Sequence, residues 1–350
     1  AAEDAVSVTL AIPPALRERF HFDAGQYVTV RRMIDGREER RTYSIVTAPG
    51  STALRLGVRE QRGGRMSREL ATRVRPGDML DVGTPVGRFR TAVDPARARS
   101  YVAFASGSGI TPVLSLATDI LAREPGSRFT LVYGNRNVAR TMFLEETLAL
   151  KNRYLDRFSV HFVMSREPQQ TELLNGRVEM PKILELARRF AEISSADEYF
   201  VCGPGHMVDQ VREAVNVLNP NAPVRFERFA AAPGRPAESR SAMQQSSDPD
   251  TPPVPEVLST ISIVMDGRRR SFPMTAANAS VLEAAEQAGL ALPFSCRSGI
   301  CATCRARIVG GTAVMAHNIA LEPWEIDAGF ILCCQARPTT ATLELTYDDK

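Results

Sequence analysis

Four cysteines near the C-terminal end stand at a spacing that can hold an iron–sulfur centre. Cys296, Cys301 and Cys304 lie in CRSGICATC, and a further thiolate is available from the pair Cys333-Cys334 in GFILCCQARP. C-x4-C-x2-C followed by one distant cysteine is the plant-type [2Fe–2S] pattern, a centre that passes electrons singly. Three thiolates on one short loop reach both irons only if the loop curls around the inorganic core. Gly299 helps that bend, and the N–H groups of Arg297, Ser298, Ile300 and Ala302 can point at the sulfurs and, with burial, set the potential. Adjacent strand residues face opposite sides, so only one of Cys333 and Cys334 can meet iron. Zinc is the rival ligand. Structural zinc uses two C-x2-C-like pairs, whereas only Cys301 and Cys304 form one here. Disulfides are disfavoured by the reducing compartment expected for an electron carrier.

A second group of residues can approach phosphate. ASGSGITPVLSLA follows the apolar run YVAFA, and Gly107 and Gly109 let the backbone close on a pyrophosphate at a helix start. Pro112 stands where the third glycine of G-x-G-x-x-G would be. Farther upstream, Arg41 in RTYS can neutralise a phosphate, and the turn Gly64–Ser67 in GGRMSREL presents backbone N–H groups. Each stretch alone is weak evidence, since a strand tyrosine is usually core packing and a Gly-Gly pair usually a turn.

The elements that position these groups can be read from the chain's rhythm. With 350 residues it has room for two or three domains, and 44% apolar and 24% charged residues are ordinary for a globular protein. A net charge of +3, without a basic run interleaved with aromatics, argues against nucleic acid. No apolar stretch reaches spanning length and AAEDAVSVTL lacks signal-peptide regions, so no membrane and a cytoplasmic location are expected. Residues 1–98 carry short β runs (GQYVTVRRMI, RRTYSIV, ALRLGVRE) between turn signals at Asp35-Gly36 and Pro76-Gly77-Asp78, which predicts a small antiparallel barrel. From 99 to 229 four strand-like runs, YVAFAS, FTLVYG, FSVHFVMS and EYFVCG, alternate with helical stretches, which predicts a parallel α/β sheet. Residues 230–256, rich in Pro, Ser and Ala, read as a linker. In 257–350 a hairpin turning at Asp266-Gly267, a helix capped by Ser280 and the cysteine loop follow in order. That order resembles a β-grasp ferredoxin. The histidines, His21, His161, His206 and His317, show no metal or base partner in sequence.

Taken together and in this order, the segments resemble the ferredoxin–NADP reductase superfamily, and the whole layout resembles the reductase component of a bacterial multicomponent oxygenase. The resemblance covers nearly all of the chain apart from the linker. It implies an antiparallel β-barrel flavin domain, an α/β nucleotide domain and a β-grasp [2Fe–2S] domain. Arg41, Thr42, Tyr43 and Ser44 would hold FAD, with Tyr43 flat on the isoalloxazine and Ser44 near N5, and Gly64, Arg65, Met66 and Ser67 would meet its phosphates. FAD rather than FMN follows from the likeness around Gly64–Ser67 and GTPVGRF. The version G-x-G-I-T-P, here Gly107, Ser108, Gly109, Ile110, Thr111 and Pro112, would bind the pyridine nucleotide together with Cys202, Gly203, Pro204 and Met207. Ser44, Cys202 and Thr111 would surround hydride transfer. Ser165 and Arg166 suit a ribose 2′-phosphate and so NADPH, with Arg136 and Arg177 able to assist; Glu167 complicates this, and NADH is the alternative. The ferredoxin pattern places its last ligand directly before Gln335, which makes Cys296, Cys301, Cys304 and Cys334 the metal set.

REERRTYSI, GGRMSREL, TPVGRF, VMSREPQ and LEPWEIDAGFILCCQARP are most similar to reductase subunits of phenylacetyl-CoA epoxidases, which feed a di-iron oxygenase. Reductases of Rieske oxygenases such as 3-ketosteroid 9α-hydroxylase share the layout. The resemblance therefore implies an oxygenase component as electron acceptor, with a monomeric reductase expected. Two other readings stand beside it: a reductase of small acceptors such as quinones, and a zinc-binding module without enzymatic activity. CATC carries alanine where many plant-type ferredoxins have glycine after the second cysteine, a change in loop flexibility that removes no ligand. Glu322, Glu325 and Asp327 are expected on a solvated helix face.

Overall fold

The computed structural model describes residues 2–229, 259–275, 278–297 and 299–349. The 230–256 segment read as a linker lies outside the described residues. Those described fall into two compact units on either side of it. No helix among them is long and apolar enough to cross a membrane.

The first unit begins with antiparallel strands. β1 (Ala5–Ala11) pairs with β4 (Ala53–Arg59), and β3 (Arg37–Ser44), β2 (Tyr27–Ile34) and β5 (Asp81–Val82) form a second sheet. An antiparallel bridge between Ile45 and Leu56 continues β3 onto β4 and joins the two. Asp35 and Gly36, both at positive φ (49° and 71°), make the tight β2–β3 turn that a right-handed twist requires. Alternation of the strands sends Val28, Val30, Leu54, Leu56 and Val58 inward, where the helix α1 (Arg65–Thr72) closes the core with Met66 and Leu70. Burying each such side chain contributes roughly 1.5–3 kcal/mol.

Strand–helix alternation then builds a parallel sheet: β6 (Ser100–Ser106), α2 (Ile110–Arg123), β7 (Arg128–Asn135), α3 (Leu144–Arg153), β8 (Phe158–Met164), α4 (Met180–Arg189), β9 (Glu198–Gly203), α5 (Gly205–Leu218) and β10 (Val224–Arg228). Sequence reading gives four of these strands; the fifth, VRFER, joins the sheet by parallel pairing to β9. The spatial order β10-β9-β6-β7-β8 reverses between β6 and β9. In open parallel sheets such a reversal opens a crevice at the carboxyl ends of the strands, where ligands bind.

The second unit carries the hairpin β11 (Ser259–Met265) and β12 (Arg268–Met274), the helix α6 (Val281–Gln287), then β13 (Arg305–Gly310), β14 (Ala313–Met315), α7 (Pro323–Asp327), β15 (Phe330–Leu332), β16 (Ala336–Pro338) and β17 (Thr342–Thr346). Its main sheet runs β12-β11-β17-β13-β15, with α6 packed on it through Val281, Leu282 and Ala285. The Ser280 side chain accepts from Glu283 N–H and so caps α6. α7 differs from the exposed acidic face expected of it. Glu325 is fully buried, one carboxylate oxygen 3.2 Å from Arg305 and the other closing a capping box on Glu322 N–H at 3.0 Å. Burial without Arg305 would leave a charge uncompensated, which is why this glutamate faces inward only as half of a pair.

Candidate functional site

At the sheet reversal, the turn after β6 meets the end of β9. Gly107 takes a positive φ of 57° with open space around it, and Gly109 packs so tightly that a Cβ there would lie 2.0 Å from the Cys202 carbonyl oxygen. α2 starts immediately afterwards, so its unpaired first-turn N–H groups open on this crevice. Ser108 is half-buried, with its carbonyl accepting from the Thr111 hydroxyl at 2.9 Å. Ile110 goes into the core and Pro112 is buried within the first turn. The Thr111 methyl lies against β4, where a Cβ on Gly57 would meet it at 2.6 Å, so this residue faces the barrel as well as the sheet. Across the crevice, Gly203 packs on Met207, and Pro204 precedes α5.

Cys202 is wholly buried and burial pushes its thiol well up, with Glu227 adding in the same direction. Glu227 is a residue that sequence reasoning missed. It stands directly beside Cys202 in the β10–β9 register. Burial raises its carboxyl to about 8, with the hydrogen bond to Ser44 pulling the other way, while Oε2 is buried without a partner. Ser44 arrives from β3 of the barrel and is itself buried. Ser44, Cys202 and Glu227 thus meet where barrel and sheet join. The sequence signal was a lone acidic residue in VRFERF shortly after CGPG. Asn135, at the carboxyl end of β7, likewise holds a buried amide nitrogen without a partner.

The other residues singled out take separate positions. Tyr43 and Thr42 are half-buried on β3, and burial raises the Tyr43 phenol far above its usual range. Arg41 is 3.1 Å from Glu39 and donates to the Arg40 carbonyl. Gly64 stands at the N-cap of α1, and a Cβ there would meet Ser67 Oγ at 2.6 Å, a cradle only glycine leaves open. Arg65 pairs with Glu39 and Asp35, and Met66 puts its side chain into the barrel core, leaving only its backbone for a ligand. Ser165 and Arg166 are exposed at the end of β8, their N–H groups donating to Asn135 and Arg136 carbonyls. Glu167 accepts from Val138 N–H at 2.8 Å and is engaged with the backbone there.

In the second unit the thiols stand in two pairs. Cys296 Sγ accepts from Ile300 and Cys301 N–H at 3.4 Å, and Cys301 Sγ accepts from Cys296 N–H at 3.5 Å and from the Thr303 hydroxyl at 3.1 Å. Cys304 Sγ accepts from Cys334 N–H at 3.5 Å, and a thiol–thiol hydrogen bond links these two, holding Cys334 below and Cys304 above the usual range. Cys333 turns the other way, fully buried against Tyr347, and burial raises it to about 12. Ile300 therefore donates as expected, while Ser298 lies outside the described residues. Arg297 and Ala302 take left-handed backbone (φ 54° and 53°), as does Gly299 at 73°. Among the described residues no three His, Cys, Asp or Glu side chains converge on a single-ion site. Two pairs of thiols with N–H donors beside them match the two sulfurs per iron that a [2Fe–2S] centre uses.

Residues 2–91 match an oxidoreductase FAD-binding domain, 104–213 an oxidoreductase NAD-binding domain, and 263–339 a 2Fe-2S iron-sulfur cluster binding domain. Phthalate dioxygenase reductase, a solved structure described as modular for electron transfer from pyridine nucleotides to [2Fe–2S], aligns at a TM-score of 0.58 and 25% identity over 99% of this chain and 94% of its own. The chain is thus a three-domain oxidoreductase of the ferredoxin–NADP reductase superfamily, built for FAD, a nicotinamide nucleotide and a [2Fe–2S] cluster. One of the subunits of 1,2-phenylacetyl-CoA epoxidase from Escherichia coli K12 is 36% identical over 99% of this chain and 94% of that protein. The ferredoxin reductase component of 3-ketosteroid-9-alpha-monooxygenase from Rhodococcus rhodochrous is 31% identical over 98% and 93%. The chain belongs to this family of reductase components.

Proposed function

We propose that the chain draws electrons from NADPH and delivers them singly to an oxygenase component of the phenylacetyl-CoA epoxidase type. The domains would be 1–98 for FAD, 99–229 for the nucleotide and 257–350 for the cluster, joined by 230–256. When bound, FAD accepts hydride from the nicotinamide and the cluster carries one electron at a time. The chain's own residues supply position and electrostatics. Gly107, Gly109 and the start of α2 cradle the nucleotide pyrophosphate, and the Cys202-Gly203 end of β9 faces the nicotinamide. Ser44 and Glu227 hold a proton in a buried hydrogen bond at the reacting edge, and Arg41 with the Gly64–Ser67 turn faces FAD phosphate. Ser165 and Arg166 read the 2′-phosphate, since Glu167 is turned to the backbone of Val138. Cys296, Cys301, Cys304 and Cys334 would hold the cluster, two thiolates from each pair.

The observation that carries this reading is the meeting of Ser44, Cys202 and Glu227 at the sheet reversal. Its test is anaerobic addition of NADPH to the purified protein, with the released flavin identified. Joint bleaching of flavin and cluster bands is expected, followed by reoxidation with the epoxidase oxygenase component. Flavin-free protein would overturn the reading. Reoxidation only by a Rieske oxygenase would move the chain to the 3-ketosteroid hydroxylase group. Arg166→Ala is expected to raise KM for NADPH more than for NADH; equal effects would remove the 2′-phosphate assignment.

A further inference from the structure

Directly after Cys334, Gln335 is nine-tenths buried, and its side-chain amide nitrogen lies 2.9 Å from the Arg297 carbonyl and 3.6 Å from Cys334 Sγ. Because a carbonyl can only accept, the amide must present its nitrogen, not its oxygen, to Arg297. Among the described residues, Arg297 is one of the two non-glycine residues of the loop held in the left-handed region, a conformation that persists only where its surroundings over-determine it. The glutamine is fixed on its other sides too. Its N–H donates to Leu332 at 2.8 Å, and its carbonyl accepts from Ala316 at 3.0 Å. A Cβ on Gly299 would meet its Cγ at 3.1 Å, so the cysteine loop packs flush against it.

The geometry points to Gln335 as a positioning residue for the [2Fe–2S] centre, one that locks the Arg297 turn of the cysteine loop and donates to the Cys334 sulfur, raising the potential. This rests on the ligand reading of Cys296, Cys301, Cys304 and Cys334. An amide NH2 has two donors, which match one carbonyl and one thiolate. A donor aimed at sulfur stabilises the reduced centre, with its additional electron, more than the oxidised one.

The test uses the full chain with its cofactors, in the Gln335→Leu and Gln335→Glu variants, both of similar size and neither able to donate as the amide does. Potentials are read by spectroelectrochemistry, the reduced centre by electron paramagnetic resonance, and iron release by a chelator. Both variants are expected to shift the flavin–cluster electron equilibrium about tenfold toward flavin, equal to 59 mV for a one-electron couple, and to release iron about tenfold faster. Flavin reduction by NADPH is expected to stay unchanged. Faster iron release at an unchanged potential would leave Gln335 merely structural and overturn the proposal. Wild-type protein labelled with 15N at glutamine side chains decides the matter even where the variants take up no cluster. A nuclear coupling to the reduced centre supports the contact, and its absence overturns it. A wild-type chain that forms no cluster at all would instead fail the ligand reading beneath the proposal.

Discussion

Glu227→Gln removes the ionisable group beside Cys202 while keeping its shape. Burial raises the Glu227 carboxyl from 4.5 to about 8, and each unit is worth 1.36 kcal/mol, so the neutral form is preferred by on the order of 5 kcal/mol. At pH 7 about nine molecules in ten would then carry the proton, against fewer than about one in a hundred for an unperturbed glutamate. The folded value lies above the unfolded one. This contribution to stability is therefore fully present below pH 4.5 and is lost as pH rises through about 8. Infrared difference spectra, wild type minus Glu227→Gln, are expected to show a protonated buried carboxyl that titrates with a midpoint near 8. Anaerobic stopped-flow should show flavin reduction slowing through the same range in wild type and flat in the variant. The cause would be that an ionised Glu227 opposes the negative charge arriving with hydride. A midpoint below 6, or identical pH profiles for the two proteins, would refute the argument that desolvation governs this carboxyl.

Further outcomes follow from single positions. Cys334→Ser is expected to reduce bound iron to near zero while NADPH oxidation with ferricyanide persists, and Cys333→Ser to keep the cluster; metal analysis with the ferricyanide assay separates them. Ala302→Gly should relieve a left-handed backbone at φ 53°, stabilising the second unit by about 1 kcal/mol, visible as a higher denaturant midpoint for cluster loss. Gly109→Ala would drive a Cβ to 2.0 Å from the Cys202 carbonyl, and the shift this forces should raise KM for NADPH at least about tenfold or destabilise the first unit by about 3 kcal/mol, read by steady-state kinetics and thermal melts.

Much of this was legible in the chain because the relevant signals are local. Turn chemistry at Asp35-Gly36 and Asp266-Gly267, the Ser280 cap and the cysteine spacing each need only neighbouring residues, and all appear where the sequence puts them. The parallel sheet was legible through its strand–helix rhythm, but its order was not. The fifth strand is short and polar enough to read as surface, and it joins the sheet as an edge strand only by pairing with β9. Glu227 was hidden for the same reason: a glutamate between Phe226 and Arg228 looks exposed until a non-local partner covers it. Glu325 was misjudged by the complementary error. An acidic run on a short helix reads as solvated, and only the arrival of Arg305 from another strand makes its burial affordable.

The two neighbouring cysteines show how far local rules reach. Read as strand residues, one of Cys333 and Cys334 must face away from the loop, yet parity is symmetric and cannot say which, and the structure places both in the turn between β15 and β16. What breaks the symmetry is the surroundings of each thiol. Cys333 lies in the apolar core against Tyr347, where burial raises it to about 12 and holds it as a neutral thiol. Cys334 faces Cys304 and the amide of Gln335, donors that favour the thiolate and hold it low. Cys334 therefore stands beside Cys304 while Cys333 is turned toward Tyr347 in the core, and that geometry, rather than the spacing, argues for Cys334 as the fourth ligand.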